Sequence, residues 1–220
     1  MLYIVSTPIG NLKDITLRAL ETLKEVDLVA AEDTRHTGQL LKHFDIQKPL
    51  TSFYAHNENV KSEYIVGLLK EGKKIALVSD AGTPGIADPG FALIRAVKEA
   101  GIPVTVIPGA CALIAGLTLS GLPTHEFLFI GFLPVKSGAR RKAIEAIPSK
   151  NCTVVMYESP HRVLKALEDM KEVLNDPLVS IARELTKTFE ECVERRASEH
   201  LTHFAKHPPK GEFVLLINPK

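Results

Sequence analysis

With 220 residues, 45% of them apolar and 24% charged, the chain can fill a sizeable core in one large or two small domains and is not a disordered polypeptide. A net charge of +1 excludes a protein held on nucleic acid by bulk electrostatics, so any such contact has to come from local patches. Cys111, Cys152 and Cys192 are widely spaced with no CxxC pair, which excludes a disulfide framework or a zinc-ligand spacing and fits a reducing cytoplasm.

The N-terminal run MLYIVSTPIGN has no charged region ahead of its apolar residues and does not read as a signal peptide. From there short apolar runs alternate with amphipathic stretches, the pattern of βα units on a mostly parallel sheet. A strand is predicted at 2–5, then a loop, then a helix capped by Thr16, with Ile15 and Leu20 at the two positions of a hydrophobic staple. Strands follow at 26–31, 75–79 and 104–107, and helices at 35–43, 59–70, 91–100 and 110–119. Residues 102–123 carry no charge, but Pro103, Pro108, Gly109, Gly116, Gly121 and Pro123 break the run, so it reads as strand, tight turn and buried helix instead of a membrane span. The pattern pauses at GLPTHE (121–126), which places a domain boundary there, with an N-terminal α/β lobe at 1–121 and a C-terminal one at 122–220. In the second half, strands are predicted at 127–132, 153–157, 178–182, 189–194 and 212–217, and helices at 138–147, 160–174 and 197–206.

Three loops rich in glycine or proline directly follow strands: TPIGN (7–11), SDAGTPGIADPG (79–90) and PGACAL (108–113). Ligands of open α/β sheets bind beyond the carboxyl ends of strands, where such loops let main chain approach a ligand with little ordering to be lost. None of the three is GxxxxGK[ST], and GxGxxG is absent after the first strand, so neither a P-loop nor a dinucleotide fingerprint is present.

These loops, together with AAEDTRHT (30–37), FIGFLP (129–134), YESPHR (157–162) and RELTKTFEE (183–191), form an ordered set along nearly the whole chain. In that order it resembles the bacterial 16S ribosomal RNA cytidine 2′-O-ribose methyltransferases of the tetrapyrrole-methylase superfamily. The resemblance implies a two-lobed α/β fold, a homodimer, and S-adenosylmethionine in the cleft between the lobes. By position it implies cofactor contacts at Pro8, Ser79, Asp80, Thr83, Cys111, Ala112 and Leu113, with Tyr157 and Glu158 against the adenosine. It further implies 16S ribosomal RNA of the small subunit as partner, and no membrane. Two departures stand out: relatives commonly continue into a small C-terminal domain beyond the last strand, and Cys111 replaces a hydroxyl-bearing or other small residue.

Methyl transfer to a hydroxyl needs in-line alignment and a group to accept or relay one proton, and a sulfonium donor requires no metal. Asp33, Glu184 and Lys187 are the candidates for that proton, Asp33 or Thr34 being equally suited to cap the next helix. His56, Asn57 and Glu58 are candidate caps as well, and Pro160 suits the first position of a helix. Lys136, Arg140, Arg141 and Lys142 form a basic patch with only Glu145 opposing it nearby; Arg140, Arg141 and Lys142, with Arg35, Arg162 and Arg183, are candidate RNA contacts. Two alternatives share the pattern: a tetrapyrrole C-methyltransferase, disfavoured by TPIGN, EDTRHT and YESPHR, and a non-catalytic RNA-binding assembly factor.

Overall fold

Runs of four apolar residues with no room for a polar face are buried on both sides, and in the computed structural model, which describes residues 1–219, they become the strands of a parallel sheet. The chain divides into two units, Met1–Cys111 and Ala112–Lys220.

In the first unit the elements are β1 (Leu2–Val5), α1 (Leu17–Glu25), β2 (Leu28–Ala31), α2 (Thr34–His43), β3 (Leu50–Ser52), α3 (Glu58–Lys70), β4 (Ile75–Val78), α4 (Phe91–Glu99) and β5 (Val104–Ile107). All strand pairs are parallel, in the order β3-β2-β4-β1-β5. Alternate residues face opposite sides, so Val29, Ala31, Ala76 and Val78 pack with Ala19 and Leu23 of α1 and Leu41 of α2. Ala30, Ile75 and Leu77 pack with Ile65 and Leu69 of α3 and Leu93 and Val97 of α4. Thr16 caps α1 as predicted, its hydroxyl accepting from the Ala19 N–H at 3.1 Å, and Ile15 and Leu20 both join the α1 side of the core. The cap of α4 is non-local: Glu58 Oε1 accepts from the N–H groups of Gly90 (2.9 Å) and Ala92 (3.2 Å).

The second unit comprises α5 (Ala112–Ser120), β6 (Phe127–Phe132), α6 (Ser137–Glu145), β7 (Thr153–Glu158), α7 (Val163–Val173), β8 (Leu178–Arg183), β9 (Glu191–Arg196), α8 (Ala197–Lys206) and β10 (Phe213–Ile217). Its sheet, in the order β6-β7-β10-β8-β9, departs from the expected parallel theme. Only β6 and β7 run parallel; β8 and β9 form a hairpin, and β10 inserts antiparallel between β7 and β8. One face packs with α6, α7 and α8 through Ile144, Leu167, Met170 and Phe204. The other face carries α5. A Cβ at Gly116 would stand 3.0 Å from Val214 Cγ1, so only glycine lets this helix settle onto β10. That contact is why the division falls at 111/112, ahead of α5, where the sequence pattern had suggested 121/122. The uncharged stretch 102–123 is thus β5, a turn and a nine-residue helix, and no helix among the described residues is long and apolar enough to cross a membrane. Helix α7 begins at Val163, since Pro160 to Arg162 form a turn, with the Arg162 and Val163 N–H groups both donating to Ser159 O.

Candidate functional site

Because β4, β1 and β5 are adjacent and parallel, the three loops singled out above leave the same edge of the sheet side by side. They are knitted together. Thr7 and Gly82 exchange two backbone hydrogen bonds, of 2.9 and 3.0 Å, and the Thr7 hydroxyl donates to Ser79 O at 3.1 Å. Gly82 can do this because its φ is +83°, a conformation side chains disfavour. Ser6 and Thr83 hydroxyls lie 2.9 Å apart, and Thr83 Oγ1 donates to Ala110 O at 3.3 Å. Gly109 brings the third loop closest: a Cβ there would meet Ser6 Cβ at 3.0 Å. Of the residues expected to hold cofactor, Pro8, Ser79, Asp80, Thr83 and Cys111 therefore sit on one interlocked set of turns. Ser79 is buried, and Asp80 Oδ1 accepts from the Asp33 N–H at 3.0 Å.

In the second unit Leu113 and Tyr157 are brought together, the Leu113 N–H at the start of α5 donating to the Tyr157 hydroxyl at 2.8 Å. The Tyr157 ring packs edge-on to Phe129 (4.9 Å between centroids) and Phe132 (5.8 Å). Next to it, the Glu158 side chain is 0% exposed. Its Oε1 accepts from the Ser159 N–H at 2.9 Å and lies 3.3 Å from Arg162 Nε, while Oε2 is buried without a partner. Burial pushes the Glu158 carboxyl above its ordinary range, against the pull of the Ser159 N–H and of Arg162 and Arg140. A buried carboxylate oxygen with nothing to bind is uncommon in a folded chain and marks a place for a donor from outside it.

The proton-handling candidates fall on both units. Asp33 is the N-cap of α2, its Oδ1 accepting from the Arg35 N–H at 2.8 Å, and it is clamped by the Arg35 guanidinium at 3.1 and 2.7 Å. Those hydrogen bonds hold its carboxyl well below the usual range. The neighbouring carboxyl that moves toward neutrality is Glu32, raised by burial and then by Asp88, and accepting from the Asp80 N–H at 3.4 Å. Sequence reasoning passed over Glu32, although the buried run 29–31 ends directly on it. Glu184, at φ +49°, is ion-paired with Lys187 at 2.8 Å. In the same turn the Thr186 hydroxyl is buried without a partner.

The basic patch is altered by long-range partners. Arg140 and Asp169 form a buried pair at 2.6 Å, with side chains 8% and 9% exposed, and Arg140 Nη1 also donates to Val135 O. Arg141 reaches Asp169 (3.1 Å) and Glu172 (2.6 Å), both on α7, so Glu145 is not the only opposing charge. Arg140 is thus a packing residue and not a surface cation. Arg162 is drawn inward to Glu158 and Leu133 O instead of standing in solvent. Arg183 Nε donates to Glu191 Oε1 at 2.5 Å, and Lys142 is exposed.

A parallel sheet covered on both faces, with its strand-tip loops locked into one rim, is the architecture of an open α/β protein, whose ligands bind beyond the carboxyl ends of the strands. The model of the family described as Tetrapyrrole (Corrin/Porphyrin) Methylases matches residues 1–200. The chain is 50% identical over 224 residues to "Ribosomal RNA small subunit methyltransferase I" of Haemophilus influenzae, covering 100% of this chain and 79% of the relative. It is 47% identical over 219 residues to the protein of that name from Thermotoga maritima, covering 100% and 98%. Among solved structures it is similar in fold to the uroporphyrin-III C-methyl transferase of Thermus thermophilus complexed with S-adenyl homocysteine, with a TM-score of 0.68, 18% identity and coverage of 99% and 97%. The chain belongs to the tetrapyrrole methylases, and within them to the ribosomal RNA small subunit methyltransferase I family. The share of the relative that is matched differs, from 79% of the Haemophilus protein to 98% of the Thermotoga protein.

Proposed function

We propose that the chain transfers the methyl group of S-adenosylmethionine to the ribose 2′-hydroxyl of a cytidine in 16S ribosomal RNA of the small subunit. The observation that carries this reading is identity near one half, along the whole chain, with proteins named for small-subunit ribosomal RNA methylation. The knitted loops of the first unit support it, because they present a preformed main-chain rim on which little ordering entropy is left to lose. In this reading Pro8, Ser79, Asp80, Thr83 and Cys111 are the cofactor contacts of the first unit, and Ala112, Leu113, Tyr157 and Glu158 those of the second. The partnerless Glu158 Oε2 suits a hydroxyl or amino donor.

When bound, S-adenosylmethionine supplies an electrophilic methyl on a sulfonium centre. The chain's own task is to fix the acceptor in line and to receive or relay the 2′-hydroxyl proton. Glu184 with Lys187, and Asp33 with Arg35, are the candidate groups for this, each carboxyl being ion-paired to its basic neighbour. The protein works in the cytoplasm as a homodimer; light scattering of the purified chain reads the second point directly.

The deciding experiment incubates the protein with labelled S-adenosylmethionine and either small ribosomal subunits or uroporphyrinogen. Label in 16S RNA, mapped by mass to one cytidine ribose, is the expected result. Label in the tetrapyrrole would replace this reading by the C-methylation of its structural neighbours. Absence of S-adenosylmethionine binding in calorimetry would leave an assembly factor.

A further inference from the structure

Most arginines that the sequence offered for RNA contact are occupied inside the protein, whereas another set of cations is not. Arg195 at the end of β9, and Lys206 and His207 at the end of α8, make no side-chain hydrogen bond or ion pair among the described residues. With Glu199, Thr202 and His203 they line an open surface groove of about 480 Å³. Helical spacing explains the arrangement: positions 199, 203 and 207, with 202 and 206, stack along one flank of α8, and Arg195 stands on the adjoining edge strand.

The carboxylates near this groove are already engaged. Glu199 Oε2 accepts from the Arg196 N–H at 2.9 Å, closing a cap on α8, and Glu191 is held by Arg183 at 2.5 Å. The Arg195 and Lys206 cations therefore stand beside the groove with no carboxylate bound to either side chain among the described residues. The His203 and His207 rings are 4.9 Å apart, and the His203 imidazole is pushed down by desolvation and then by Arg195 and His207. A groove that holds two unpaired cations, Arg195 and Lys206, is suited to an anion.

We propose that this groove binds the phosphate backbone of RNA, an inference that rests on the RNA reading above. The guanidinium of Arg195 offers the fork that matches a phosphate, and Lys206 adds a point charge. The groove is open along the helix flank, as a polymer passing through it requires, in contrast to a closed pocket for a small phosphate ester. Its contacts go to phosphates and so add affinity and register without choosing the nucleotide.

The test compares the full chain with an Arg195→Glu/Lys206→Glu variant, using a fluorescent oligocytidylate in anisotropy titrations across a salt series. Expected is a loss of affinity of about 10-fold or more, with the slope of log K against log salt shallower by about 1.4, two single-strand phosphate contacts at ~0.7 each. S-adenosylmethionine affinity and melting temperature serve as controls and stay at the wild-type values. Should that variant fail to fold, Lys206→Glu/His207→Glu changes two exposed positions of the same groove and carries the same expectation. Unchanged RNA affinity and slope in a folded variant, or no binding by the wild type, overturns the proposal. Methyl transfer to small subunits separates the two readings. A wild type that binds oligocytidylate through the groove but methylates no RNA removes the methylation reading alone. A variant that methylates with unchanged KM for subunits removes the groove alone.

Discussion

Gly109 is the point at which the rim of the first unit is tightest, and adding one methyl group there isolates what the loop packing contributes. In Gly109→Ala the new Cβ would sit 3.0 Å from Ser6 Cβ and 3.6 Å from Ser6 O. Carbon atoms rest at about 3.5–4.0 Å, so one loop must retreat by roughly 0.5–1 Å. Ser6 cannot make room by rotating, because a Cβ does not move with χ1, and its hydroxyl is held by Thr83 at 2.9 Å. Overpacking of this kind costs about 1–3 kcal/mol. Pro108 and Gly109 are exposed, so the free protein relieves the clash by swinging the 108–111 turn outward, and the cost falls mainly on the bound state. At 1.4 kcal/mol per decade this weakens S-adenosylmethionine binding about 5–150-fold. Calorimetric titration measures it, and thermal melting shows a smaller change. Gly67→Ala is the control: nothing lies within 4 Å of its Cβ inside α3, so it raises stability by up to about 1 kcal/mol and leaves cofactor affinity alone. A Gly109→Ala protein with wild-type affinity would refute the claim that the approach of these loops shapes the cofactor site.

Three further outcomes follow from the site geometry. Asp169→Ala strands the buried Arg140 charge, which costs about 3–5 kcal/mol; at 2–4 °C per kcal/mol the melting temperature drops by roughly 6–20 °C, and an Arg140→Met/Asp169→Leu pair regains most of it. Asp33→Asn keeps the α2 cap and is expected to retain its turnover in single-turnover assays, where loss of a general base would cost ~10²–10⁴-fold. Glu158→Gln reads out the raised carboxyl: a folded-state pKa above the unfolded one stabilises the wild type below the ordinary carboxylate range and is lost as pH rises through the folded value. Wild-type melting relative to the Gln variant should therefore fall with rising pH over that window, and parallel curves would contradict a desolvated Glu158.

The βα order of the first unit was readable because β1, β2 and β4 are short, wholly apolar runs, and such runs are at home only in a sheet covered on both faces. β3 escaped notice because Leu50–Ser52 is three residues long and carries one apolar side chain. Strand direction in the second unit is not encoded in such runs. β8 and β9 look like two more βα strands, yet the turn between them bends through Glu184 at φ +49° and Thr186 at φ +66°, residues that carry none of the Asn-Gly chemistry of a hairpin. α5 is apolar on all sides and so gave no hint of which sheet it would join; Gly116, against Val214, decides that.

The loops of the candidate site were legible for a related reason: Gly82 supplies a left-handed backbone and Gly109 a close approach to Ser6, and both needs are written in the residue type. Charged residues carry no such imprint. Arg140 and Arg141 read as a solvated basic patch because their partners, Asp169 and Glu172, lie about thirty positions away on a helix that meets α6 only after folding. Arg195, Lys206 and His207 drew no attention for the opposite reason, being separated along the chain and joined only when α8 folds back along β9. A cation's availability to a phosphate depends on which carboxylates tertiary packing has already committed. Pairing with Asp169 withdraws Arg140 from RNA contact, whereas Arg195 and Lys206 stay available in the α8 groove, since Glu191 is ion-paired with Arg183 and Glu199 caps α8 through the Arg196 N–H.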